Sequence, residues 1–137
     1  MTDQDLAKLF SETKTIAAVG LSNNPVRASG RVCRYLQTHG YRVIPVNPQE
    51  TEVNGEKAYP DLKSVPDKID LVQIFRHPSA VPAVVEDAIA IGAKAVWMQD
   101  GAGNPAAAKR AEEAGLVAVD DDCMLRQHGR LKMSGLL

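Results

Sequence analysis

Apolar and β-branched residues gather in five short runs along this chain: TIAAVG at 15–20, YRVIPV at 41–46, IDLVQIF at 69–75, AKAVWM at 93–98 and LVAVD at 116–120. Each run is nearly continuous rather than alternating, the pattern of strands covered on both faces, so the sheet they predict is parallel. Between the runs the period becomes helical. Val32, Tyr35, Leu36 and His39 recur at i, i+3, i+4 and i+7, and Val81, Val84, Val85, Ala88 and Ile89 form a second stripe. An Ala-rich segment follows Asn104-Pro105, which reads as an N-cap with proline at the first helical position, where the missing N–H costs nothing. A helix is expected from about Thr2 to Ser11, and a last one after Asp120-Asp121-Asp122, whose charges suit the positive end of a helix dipole. Three strands are entered through one kind of joint: Gly40, Gly92 and Gly115 each stand where a helix ends, the place where glycine turns the chain through the left-handed conformation. Residues 47–68 lack a single period, and VNGEKAYPDL suggests a short extended excursion before Pro60.

Strands alternating with helices give an α/β, Rossmann-like fold: a doubly wound five-stranded parallel sheet with helices on both faces. Right-handed crossovers favour the order 3-2-1-4-5. The 137 residues suit one domain spanning 1–137, with no linker or low-complexity tract. In open sheets of this kind ligands sit beyond the carboxyl ends of the strands, near the point where strand order reverses.

Composition narrows the possible ligands. Sixteen basic against 17 acidic side chains leave a formal charge of −1, and aromatics make up 4% of the chain. A nucleic-acid reader would carry a basic stripe with interleaved aromatics, so nucleic acid is not an expected partner. The N-terminal MTDQDLAKLFSETK is polar, and no stretch has the apolar length of a signal peptide or a membrane span, so a cytoplasmic protein away from membranes is expected. Cys33 and Cys123 stand in neither a CxxC nor a zinc spacing and read as reduced thiols. His39, His77 and His128 show no metal spacing, and no metal is expected.

The strand ends carry the chemistry. They read Gly20-Leu21-Ser22-Asn23-Asn24, Asn47-Pro48, Arg76-His77-Pro78, Gln99-Asp100-Gly101 and Asp120-Asp121-Asp122. Loops are polar in most proteins, and it is the cluster along one edge that points to a site. Turn amides after the first strand and the start of the next helix present donors to an anion, with Ser22 and Arg27 adding side chains. Ser29 reads as an N-cap for that helix. A dinucleotide loop would show GxGxxG, with an acidic residue about 20 positions on for the ribose hydroxyls. Here Gly20 stands alone until Gly30 and the second strand ends in Asn47-Pro48, which argues against ordinary NAD binding and leaves another anionic nucleotide open.

The motifs VGLS at 19–22, IPVNP at 44–48, DLVQIFR at 70–76, VWMQDG at 96–101 and DDDCM at 120–124 resemble those of the small stand-alone CoA-binding domain proteins. That family is similar to the nucleotide-binding N-terminal domain of the succinyl-CoA synthetase α-subunit and related acyl-CoA synthetases. The resemblance runs from about residue 10 to 130. It implies coenzyme A or an acyl-CoA as small-molecule ligand, with phosphates and ribose at Gly20, Leu21, Ser22 and Arg27 and the Val46-Asn47-Pro48 turn beside the nucleotide. It further implies Phe75 and Arg76 lining the same cleft, Val81 facing the pantetheine arm, and Trp97 and Gln99 closing the far wall. A guanidinium such as that of Arg76 grips phosphate through two parallel hydrogen bonds. Phe75, Val81 and Trp97 also have the ordinary reading of apolar residues in strands and helices, which is core. The larger synthetases carry their phosphorylated histidine on further domains, so the resemblance implies binding without catalysis. The rival reading is an enzyme, an NAD(P)-dependent or CoA-linked thiol oxidoreductase using Cys123. A third is an interaction module that has kept the fold and lost the ligand.

Overall fold

A computed structural model describes residues 1–137. Helix α1 (Asp3–Glu12) precedes strand β1 (Thr15–Val19), followed by α2 (Ser29–Thr38) and β2 (Arg42–Val46). Two very short strands, β3 (Glu52–Val53) and β4 (Glu56–Lys57), occupy the excursion. The chain then alternates through β5 (Leu71–Ile74), α3 (Val81–Ala90), β6 (Ala95–Met98), α4 (Pro105–Glu113), β7 (Val117–Val119) and α5 (Met124–Met133). Five strands form one sheet, all pairs parallel, in the order β2-β1-β5-β6-β7.

The strands alternate their side chains between two cores, as a pleated backbone requires. Ile16 and Ala18 face one way with Leu71, Ala95 and Trp97, beneath α1, α2 and α5. Ala17 and Val19 face the other way with Val72, Ile74, Val96 and Met98, beneath α3 and α4. Helices therefore cover both faces, and the α/β Rossmann-like class agrees with the sequence pattern.

The strand order differs from the expected 3-2-1-4-5. Counting only the five sheet strands along the chain, it is 2-1-3-4-5. The cause lies in residues 47–70. Tyr59 occupies the outer edge of β2: its N–H donates to the Pro45 carbonyl at 3.0 Å and its carbonyl accepts from Asn47 N–H at 2.8 Å. With that edge taken, the chain crosses the α3 face through a 3₁₀ turn at Leu62–Ser64 and enters the sheet on the far side of β1. The excursion is itself a hairpin: β3 and β4 pair antiparallel around Asn54-Gly55, whose φ values of 54° and 83° are those of a two-residue type I′ turn.

Asn104 caps α4 as its sequence suggests, accepting from Ala107 N–H at 3.0 Å ahead of Pro105. Ser29 does not cap α2. Ala28 occupies the cap position with no side-chain bond, and the Ser29 hydroxyl instead accepts from Ser22 N–H at 3.2 Å, closing the loop that follows β1. Each residue of the Asp120-Asp121-Asp122 run accepts from neighbouring backbone. Asp120 accepts from Asn104 N–H at 2.8 Å and Asp121 from Gly101 N–H at 2.9 Å, while Asp122 accepts from Cys123 N–H at 2.8 Å.

Candidate functional site

The chain order reverses between β1 and β5. From β1 the chain leaves toward α2 on one face of the sheet, and from β5 it leaves toward α3 on the other. Their loops diverge above the carboxyl ends of the two strands and leave a crevice there, the place where such sheets bind ligands.

Gly20 forms its floor. With φ at +92°, a side chain there would be strained on backbone grounds alone, and a Cβ would lie 2.2 Å from the Phe75 carbonyl oxygen. Only glycine lets the loops after β1 and β5 approach this closely. The Gly20 N–H donates to the Val46 carbonyl at 2.9 Å, which joins the end of β2 to the same floor.

Two cavities open from this floor. One, about 290 Å³, is lined by Gly20, Ser22, Arg27, Val46, Asn47, Pro48, Gln49, Phe75, Arg76 and His77. The other, about 420 Å³, shares Gly20, Arg27, Phe75, Arg76 and His77 and continues past Ala28, Ser29 and Pro78 to Asp100, Gly101 and Ala102. Together they make one crevice bent over Gly20.

The walls are braced from outside. Asn23 ties the β1 loop to the excursion, donating from its backbone to Glu50 at 2.7 Å and from its side chain to Glu50 at 3.0 Å and to the Glu52 carbonyl at 2.7 Å. The Asn23 N–H is the chief reason that the Glu50 carboxyl titrates below its ordinary range. Asn47 donates to the Leu21 carbonyl at 3.2 Å and accepts from Gln49 N–H at 3.0 Å, so it shapes the turn while lining the cavity.

The electrostatics favour an anion. The smaller cavity has no acidic residue in its lining and two guanidinium groups. Arg42, Arg110, Arg126 and Arg130 each hold a carboxylate, whereas Arg27 and Arg76, like Arg31 and Arg34 outside the two cavities, form no salt bridge. The N-terminus of α2 adjoins the second cavity with no side-chain cap, leaving first-turn amides and the positive end of the dipole available. The one carboxylate in that cavity, Asp100, is engaged by Arg126 through bonds of 2.9 and 3.1 Å, which hold its carboxyl below the usual range.

Of the residues named from sequence, Gly20, Ser22, Arg27, Val46, Asn47, Pro48, Phe75 and Arg76 meet around this crevice. Leu21, Val81, Trp97 and Gln99 do not present side chains to it. Leu21 turns back under its loop and is buried with Phe10 and Val32, and Val81 is buried against β5 at the start of α3. Trp97 packs on Phe10 and donates its indole N–H to the Asp122 carbonyl at 2.8 Å. Gln99 closes an internal network in which its side-chain oxygen accepts from Gln73 at 3.1 Å and from Met124 N–H at 2.9 Å. Each of these side chains faces a helix layer, where burial outweighs any role at the strand end. Gln49 and His77 complete the lining of the smaller cavity without having been assigned to it from sequence. Both follow a strand-end residue that was, and adjacency is the signal that would have found them. Cys123 lines neither cavity and packs against the core under α5.

A family model described as a CoA binding domain matches residues 14–129. A solved structure of a protein from Pyrococcus horikoshii OT3 superposes with a TM-score of 0.93 at 45% sequence identity, covering 96% of this chain and 93% of that one. The YneT protein of Bacillus subtilis is 35% identical over 128 residues, 93% of this chain and 95% of its own length. The α-subunit of ADP-forming acetate–CoA ligase II from Pyrococcus furiosus is 39% identical over 66 residues, 47% of this chain and 14% of that subunit.

Proposed function

Because the chain belongs to the CoA-binding domain family, we propose that it binds coenzyme A or an acyl-CoA in the crevice above Gly20, as a binding module without chemistry of its own. The observation that carries this reading is the pair of unpaired guanidinium groups, Arg27 and Arg76, beside the uncapped start of α2. CoA brings a diphosphate and a third phosphate, and an arginine makes charge-assisted, two-point bonds to such groups. The crevice also has two cavities, one for each half of a bipartite ligand, with its nucleotide half beside Asn47-Pro48 and its pantetheine half running toward Gly101 and Ala102.

The absence of an acidic residue at the end of β2 disfavours NAD, whose ribose hydroxyls have no partner there. Cys123 borders neither cavity, so nothing in the geometry favours a thiol oxidoreductase. The ligand is small and water-soluble, and no helix is long and apolar enough to cross a membrane. A cytoplasmic protein fits this reading.

Calorimetric titration of CoA into the wild type, Arg76→Ala and Arg76→Lys tests it. Loss of the guanidinium should weaken binding about tenfold or more, and lysine should restore only part of that, because an ammonium lacks the planar fork. Equal affinities in all three, with circular dichroism showing each folded, would remove Arg76 from the site.

A further inference from the structure

His77 follows Arg76 and has two features that together give it a function. Its Nδ1 accepts the Ser79 backbone N–H at 3.2 Å, capping the 3₁₀ turn Pro78–Ala80, and lies 2.8 Å from the Ser79 hydroxyl. A ring nitrogen that accepts from an amide carries no proton of its own, so with Nδ1 the acceptor the neutral ring holds its hydrogen on Nε2, and the Ser79 hydroxyl shares the single Nδ1 lone pair with the amide. The second feature is position: His77 is exposed, and it belongs to the wall shared by both cavities.

We propose that His77 is a ligand-binding residue whose tautomer is fixed by Ser79, and that its Nε2–H donates to the diphosphate of CoA. The inference rests on the CoA reading above. The diphosphate is the joint between the nucleotide and pantetheine halves of CoA. If the halves occupy the two cavities, the joint lies at the wall they share, beside Gly20, Arg27, Arg76 and His77. The arginines supply charge, and His77 supplies a directed, uncharged donor whose hydrogen is already in place before the ligand arrives. Such preorganisation avoids an ordering cost on binding.

His77→Asn separates the two roles. An asparagine side-chain oxygen accepts an N–H two residues on, so the turn keeps its cap, while its own amide NH2 stops short of the place where the histidine Nε2–H lies, so the donor at that place is lost. Titrations should give an affinity roughly three- to tenfold below wild type for CoA. The same loss should appear with 3′-dephospho-CoA, which keeps the diphosphate, and the unliganded melting temperature should be unchanged. A loss that vanishes with 3′-dephospho-CoA would place His77 at the 3′-phosphate and overturn the proposal, as would equal affinities of variant and wild type. A second measurement needs no variant: in wild-type protein with 15N-labelled histidine, the free His77 ring should show the Nε2–H tautomer, and only its Nε2 resonance should move strongly on saturation with CoA. An Nδ1–H tautomer or an unmoved Nε2 resonance would refute the assignment. If the wild type bound no CoA, the functional reading itself would fall and His77 with it; CoA binding that ignores His77 would remove His77 alone.

Discussion

A methyl group added at Gly20 would sit 2.2 Å from the Phe75 carbonyl oxygen, on a backbone whose φ of +92° already disfavours a side chain. Gly20→Ala therefore pushes the loops after β1 and β5 apart. It should destabilise the fold by roughly 1–3 kcal/mol, read as a lower urea midpoint at unchanged slope, and CoA affinity should fall with it. An unchanged midpoint would mean that the two loops can part without strain. Seen residue by residue, the strand-end rule pointed to Gly20, Ser22, Asn47 and Arg76 from sequence because each lies at or just past the end of an apolar run, and Arg27 entered as a cationic side chain farther along the first loop. Neither that rule nor the family resemblance, which added Val81 and Trp97, separated Leu21, Val81, Trp97 and Gln99 from the crevice. Proximity to a strand end says nothing about which way a side chain points, and each of these four has a helix layer to bury against. His77 shows the opposite case: it stands in the strand-end cluster beside Arg76 in the sequence, and the structure places it both at the start of the 3₁₀ turn and on the crevice wall.

On the face formed by α1, α2 and α5, one histidine makes the packing sensitive to acid. His128 on α5 is buried among Phe10, Tyr35, Tyr41 and His39, with its Nδ1 2.8 Å from the Tyr35 hydroxyl. Burial, followed by the nearby His39 and Lys132, lowers its pKa from the ordinary 6.5. The folded protein thus keeps the ring neutral where the unfolded chain would protonate it. The stability His128 contributes is present in full above the ordinary value and is lost as pH falls from there through the lowered one. Melting temperature should drop as pH falls below the ordinary histidine value of 6.5, and it should drop less in His128→Gln, which can still bond to Tyr35; parallel curves would assign the pH dependence to other groups. The same element scale shows where sequence pattern stops. Strand and helix types were legible because each run is periodic or continuous. The β3–β4 hairpin was not recognised, although Asn54-Gly55 is the dipeptide that a type I′ turn uses. Strand order was misread because periodicity is local, while the order depends on Tyr59 closing the outer edge of β2.

At the scale of the whole molecule, the reversal between β1 and β5 is what turns separate strand-end residues into one crevice, and the order 2-1-3-4-5 keeps that reversal even though it differs from 3-2-1-4-5. Motif order along the chain was enough to suggest the family, and a family match over residues 14–129 agrees with it. The distribution of charge within the crevice needed the structure, since Arg27 and Arg76 are set apart from the other arginines by lining the crevice while holding no carboxylate. A ligand that binds only the folded protein stabilises it, by about 2.7 kcal/mol at a hundred times its dissociation constant, which for a domain of this size raises the melting temperature by several degrees. The most direct test is thermal unfolding with CoA and, at equal concentration, with NAD. CoA should raise the midpoint by that amount while NAD leaves it nearly in place; a midpoint raised by NAD and unmoved by CoA would contradict CoA binding in this crevice.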